Sequence, residues 1–158
     1  MSAEPFVMAQ RVRPRHCDAQ EMVHAGRYHE FCEDTFLGWL EDAGLSYASL
    51  RALSVDLVIS ESRYSFRRPA RLDDDLLIAV TGEMATDSSL STRFEVRRGN
   101  EQLATASITY VAVRDGRRCP VPDGLRNLIG FAAPAGKALL DVPQRQRPLP
   151  AGRETPRE

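Results

Sequence analysis

The stretch His16-Cys17-Asp18-Ala19-Gln20-Glu21-Met22-Val23-His24-Ala25-Gly26-Arg27-Tyr28 holds the densest set of chemically capable side chains in the sequence. It sets a carboxylate and two histidines just ahead of an apolar pattern with the period of a helix. A helix N-terminus offers unpaired backbone N–H groups and a partial positive charge. Such a place can polarise a carbonyl and hold the oxyanion formed when that carbonyl is attacked. A carboxylate beside it can attack the carbonyl or take a proton from water. The arrangement suits acyl transfer, with Asp18 as the central group and Glu21 and His24 as further acid–base candidates.

The elements that must position these groups can be read from periodicity. Met8 to Pro14 alternate loosely, as a first strand. Tyr28, Phe31, Cys32, Thr35, Phe36, Trp39, Leu40 and Ala43 recur at the spacing of an amphipathic helix. Gly44 is placed to end it, and Ser46 to cap a short helical turn after it. From Asp56 the period becomes two. Val58, Ser60, Ser62, Tyr64 and Phe66 form one face of a strand; Leu76, Ile78, Val80 and Met84 one face of the next. Leu90 to Val96 and Ala104 to Ala112 give two more, with Asp/Gly/Asn/Ser turns between them. Short links of this kind imply antiparallel neighbours, hence an α+β fold. Asp123 to Phe131 read as a last short helix.

Residues 1–131 are therefore expected to form one domain. The segment 132–158 holds half of the ten prolines and is expected to be a mobile tail. A formal net charge of −1 offers no field for binding nucleic acid or an anionic membrane. No secretory signal and no apolar run near the roughly 20 residues of a membrane span is visible. Three cysteines at irregular spacing argue against a disulfide framework and for a cytoplasmic location.

The run around Asp18 resembles the hot-dog thioesterases of the 4-hydroxybenzoyl-CoA and acyl-CoA thioesterase type. Asp18, Ala19, Val23 and Tyr28 match that pattern at the right spacing, and Cys17 is common before the aspartate. The likeness continues through Glu33, Gly44-Leu45-Ser46-Tyr47, Glu61, Arg68-Pro69-Ala70-Arg71 and Asp75-Leu76. It implies a long helix wrapped by a curved antiparallel sheet, assembled as a homodimer or homotetramer with active sites between protomers. It also implies an acyl thioesterase in which Asp18 is nucleophile or general base and N–H groups near Gly26, Arg27 and Tyr28 form the oxyanion hole. No cofactor or metal is implied: coenzyme A or phosphopantetheine of an acyl-carrier protein arrives with the substrate. Three positions depart from the pattern, with Glu21 in place of Gly, His16 in place of an acid and Arg27 in place of Asn.

Each candidate has a plainer counterpart. Asp18 could simply form a turn, and His24 or His29 could be polar residues at a helix start. Tyr28 suits core packing, and Tyr64 suits the wall of an acyl pocket. Arg67, Arg68 and Arg71 have the geometry to bind coenzyme A phosphates, or they are a solvated strand end. Glu61 contacts substrate or pairs with Arg63. No zinc spacing joins His16, Cys17, Asp18, His24 and Cys32, and strand alternation turns Cys17 away from Asp18. Two alternatives stay open: a polyketide-pathway hot-dog enzyme that adds an amine to an α,β-unsaturated thioester before hydrolysis, and a non-catalytic binding protein on the same fold.

Overall fold

The computed structural model describes residues 4–130 and the pair 146–147. Strand β1 (Phe6–Arg11) leads through a 3-10 turn at Pro14–His16 to helix α1 (Ala25–Asp42) and the short α2 (Tyr47–Ala52). Four long strands follow: β2 (Asp56–Phe66), β3 (Asp75–Ala85), β4 (Ser89–Arg98) and β5 (Glu101–Arg114). Then come β6 (Arg117–Arg118), α3 (Asp123–Gly130) and β7 (Gln146–Arg147). The strands run in the order β2-β5-β4-β3-β1-β7, with β6 returning on β5. All pairings are antiparallel except that of β7 with β1. This curled sheet around one long helix is the hot-dog fold. The expected tail over 132–158 otherwise lies outside the described residues.

The core lies between α1 and the inner face of the sheet. Phe31, Cys32, Phe36 and Leu40 of α1 pack with Ile78, Val80, Phe94, Val96, Ile108 and Tyr110. Each large side chain removed from water there contributes about 1.5–3 kcal/mol. Helix α1 begins at Ala25, ahead of its apolar stripe, because His24 caps the polar first turn. Gly44, at φ +76, ends it as expected. Ser46 accepts the Ser49 N–H at 3.1 Å and opens α2.

Strand boundaries and faces need correction. The first strand is displaced towards Phe6, because Phe6 and Val7 are buried on opposite faces and hide the alternation. Beyond Arg11, Pro14 opens the 3-10 turn instead. A bulge between Ile59 and Glu61 breaks the parity of β2. Leu57 and Ile59, opposite Ala112 and Tyr110, therefore share the inner face with Tyr64 and Phe66, opposite Ala106 and Ala104. Val58 falls on the outer face. A second bulge between Gly82 and Met84 turns Met84 outwards, 60% exposed, rather than onto the face of Ile78 and Val80. Gly82 itself is required by α3: a Cβ there would stand 2.7 Å from the Ile129 Cα.

Candidate active site

The segment before α1 folds back as a small hairpin. Cys17 and Val23 form an antiparallel bridge, and the Asp18 N–H donates to the Met22 carbonyl at 2.9 Å. The turn closes with the Glu21 N–H on the Asp18 carbonyl at 3.1 Å. Val23 N–H donates to Ala70 O at 2.8 Å and Met22 bridges to Arg71, which docks the hairpin against the link between β2 and β3. His16 is buried behind it. Its Nδ1 accepts the Arg13 N–H at 2.9 Å, its ring meets Phe31 edge-on at 5.0 Å, and its carbonyl accepts the His24 N–H. Burial first, then Arg15 and Arg27, lowers the His16 pKa below its ordinary value.

Asp18 is half-buried, and its Oδ1 accepts the Gln20 N–H at 2.8 Å. It borders two clefts. One, of about 530 Å³, is walled by Val23, His24, Ala25, Tyr28, Phe66 and Arg67. The other, of about 440 Å³, is polar and walled by Arg15, His16, Arg27 and Glu30, and it shares Asp18 and His24 with the first. The carboxylate thus stands between an apolar chamber and a polar one, at the start of α1.

The oxyanion donors expected from Gly26 to Tyr28 are rearranged. The Gly26 N–H is taken by His24 Nδ1 at 3.1 Å, and the Arg27 N–H by the His24 carbonyl at 2.9 Å. Tyr28 lies far enough into α1 for its N–H to close an ordinary helical turn. The N–H left without a partner among the described residues is that of Ala25, which lines the larger cleft. Because His24 Nδ1 accepts, the neutral ring carries its proton on Nε2.

The other expected residues divide. Tyr28 is buried, with its ring edge-on to Phe66 at 5.0 Å and its phenol pKa raised by burial. Tyr64 lies further along the same inner face, its hydroxyl 2.6 Å from His29 Nδ1, which brings His29 into contact with a pocket candidate. Glu21 is exposed at the hairpin turn and lines neither cleft. Glu61 is on the outer face opposite Thr109, where its Oε1 accepts from Arg63 at 2.8 Å, away from Asp18. Arg27 pairs with Glu30 at 2.7 Å. Arg68 borders the cleft but is held by Glu101 at 3.0 Å, and Arg71 reaches the Glu21 carbonyl at 3.3 Å.

Sequence reasoning set Arg67 beside Arg68 and Arg71 as a candidate for coenzyme A phosphates and read Arg98 as a surface turn. Arg98 bridges Asp74 at 2.6 Å and Glu101 at 2.7 Å, fastening the β4–β5 turn beneath the cleft mouth. Arg67 lines the cleft, and its guanidinium has no partner among the described residues. The Arg67-Arg68 pair was the available signal; which of the two is tied by Glu101 depends on strand register. Among the described residues no group of His, Cys, Asp and Glu forms a metal cage, and no helix is long and apolar enough to cross a membrane.

Residues 12–129 match the family model of the thioesterase-like superfamily. A 1,4-dihydroxy-2-naphthoyl-CoA hydrolase of Synechococcus sp. (strain CC9605) is 27% identical over 134 residues, covering 79% of this chain and 90% of that protein. A solved 1,4-dihydroxy-2-naphthoyl-CoA thioesterase from Synechocystis superposes with a TM-score of 0.74 at 20% identity, covering 80% of this chain and 96% of that one. The dynemicin thioesterase superposes with a TM-score of 0.76 at 17% identity, covering 84% and 100%. Family match and fold agree: the chain belongs to the thioesterase-like superfamily.

Proposed function

We propose that this protein hydrolyses an acyl thioester carried on coenzyme A or on the phosphopantetheine of a carrier protein. The observation that carries this reading is the position of Asp18, a half-buried carboxylate between two clefts at the start of α1, with the unpaired Ala25 N–H in the same wall. Names of the relatives support the same chemistry. The thioester carbonyl would point at the Ala25 N–H, which strengthens as a donor when the oxygen gains charge. Asp18 either takes a proton from water as that water attacks the carbonyl carbon, or attacks it directly to give a mixed anhydride that water then cleaves. Either way the C–S bond breaks and the acid departs; the thiolate takes its proton from the carboxyl that Asp18 became on the first route or from water on the second, and the His24 Nε2–H would donate a hydrogen bond to the leaving sulfur. The apolar cleft of Val23, Tyr28 and Phe66 suits the acyl group, and Arg67 suits a phosphate of the carrier.

Glu21 sits outside both clefts, so hydrolysis without prior amine addition is the simpler reading. Thiol release from a panel of aliphatic, aromatic and α,β-unsaturated acyl-CoA thioesters tests it. Asp18→Asn should fold normally and lose about 10²–10⁴-fold in kcat/KM. Full turnover in that variant would remove Asp18 from the mechanism. Silence of the wild type on every CoA and carrier-protein thioester would remove the activity itself.

A further inference from the structure

Part of the outer face of the sheet is buried although, among the described residues, no helix packs on it. Val7 on β1, Ala79 on β3 and Glu95 on β4 stand side by side in the sheet register, and they are 1%, 0% and 0% exposed. The same row runs on through Thr105 of β5, partly buried, to Ser65 of β2, which is open to solvent. The buried apolar side chains of α1, α2 and α3 all belong to the inner core, while Val7, Ala79 and Leu77 form a cluster of their own. A side chain on the outside of a sheet keeps contact with water unless a second layer covers it. Glu95, paired with Arg97, extends the buried row as far as β4, and a carboxylate is almost never withdrawn so completely on an open face. The burial is that of a single chain, so its cover comes from the chain itself.

We propose that the segment 131–145 of this chain lies across that face, from β4 to β1, as a second layer on the sheet. Both ends of the segment are placed. Helix α3 ends at Gly130, with Ile129 against Gly82 of β3, and Gln146 of β7 sits beside Val7 of β1. Two strand spacings, roughly 10 Å, separate β3 from β7, whereas the fifteen residues 131–145 can reach about 50 Å. That leaves chain to spare for crossing to β4 and returning. Composition fits the place: Phe131, Leu139, Leu140 and Val142 supply apolar bulk, and Lys137 and Arg145 bring cations to a face that holds Glu95. Residues 148–158, beyond β7, hold one bulky apolar side chain, Leu149. The tail expected from its prolines then divides at β7, and its first half is a structural layer. With its own chain on this face, the protein cannot assemble by stacking two sheets, and partners must use other surfaces.

Lys137 is the single lysine of the sequence, so a lysine-specific endoprotease cuts the full chain at one place, inside this segment. In native wild type the cut should be about a hundredfold slower than in the urea-unfolded chain, because it has to wait for the layer to open. Its rate should not depend on protein concentration. Leu139→Asp together with Leu140→Asp should speed the native cut about tenfold or more, while circular dichroism stays that of the folded domain. Should that pair fail to fold, Leu140→Ala should give a smaller acceleration in a folded chain. Immediate cleavage of native wild type would overturn the proposal, since the segment would then be free. Protection that is lost on dilution would give the face to a second copy and overturn it as well. Protection unchanged by the leucine substitutions would mean that something other than this segment covers Val7 and Ala79.

Discussion

Glu21 adopts φ +60, a left-handed conformation that a side chain disfavours and glycine adopts freely. The hot-dog pattern places glycine at this position, and the sequence registers the departure as an added charge beside the active site. In three dimensions the backbone is what matters: the residue completes the turn that presents Asp18, while its side chain stays in solvent. Glu21→Gly is therefore expected to raise stability by about 1 kcal/mol, read from urea unfolding, with kcat/KM unchanged. A tenfold loss of activity would show that the Glu21 carboxylate takes part after all. That Asp18 and Tyr28 stand together at the start of α1 was legible because residue type and spacing specify their positions. The role of Gly26 was not, because the His24 ring that occupies its N–H depends on a side-chain rotamer.

At the scale of elements, α1 and the four long strands were legible because each buries one regular stripe. What spacing could not reveal were the bulges in β2 and β3, which invert the faces of Val58 and Met84; Gly82 stands at the second, while nothing in the sequence marks the first. The active-site hairpin depends on His16 in the same hidden way, since its ring and carbonyl tie the 3-10 turn to the start of α1. Protonation would remove the Nδ1 acceptor and place charge in a buried site beside Arg13, Arg15 and Arg27, with Glu30 as partial compensation. The folded imidazole thus resists protonation more than the unfolded one, whose ordinary pKa is 6.5. Below that pH the unfolded state binds the extra proton, so stability falls as pH drops, until the folded ring also titrates. His16→Asn, which can keep an acceptor for the Arg13 N–H, should flatten the stability profile between neutral pH and about pH 5. An unchanged slope in thermal melts across that range would assign the acid sensitivity elsewhere.

For the whole molecule the informative feature is β2. It stands at the end of the sheet, so among the described residues one edge of its eleven-residue length is unpaired, and Val58, Ile59 and Phe66 on it are exposed. A long apolar strand edge left open is an invitation to pairing that proteins ordinarily cover. Phe66, the last residue of this strand, stands in the wall of the Asp18 cleft, so whatever covers the edge also borders that cleft. A second copy of the chain presents the same strand, and a two-fold axis at this edge would join two sheets antiparallel while bringing the partner chain beside each Asp18 cleft. The expected state is a homodimer by sedimentation, whose specific activity falls on dilution as monomer appears. Val58→Asp, on the outer face and remote from Asp18, should shift the equilibrium towards monomer and lower turnover together. Monomeric wild type with full turnover would instead mean that one chain alone completes the site, and that the exposed edge of β2 meets something else.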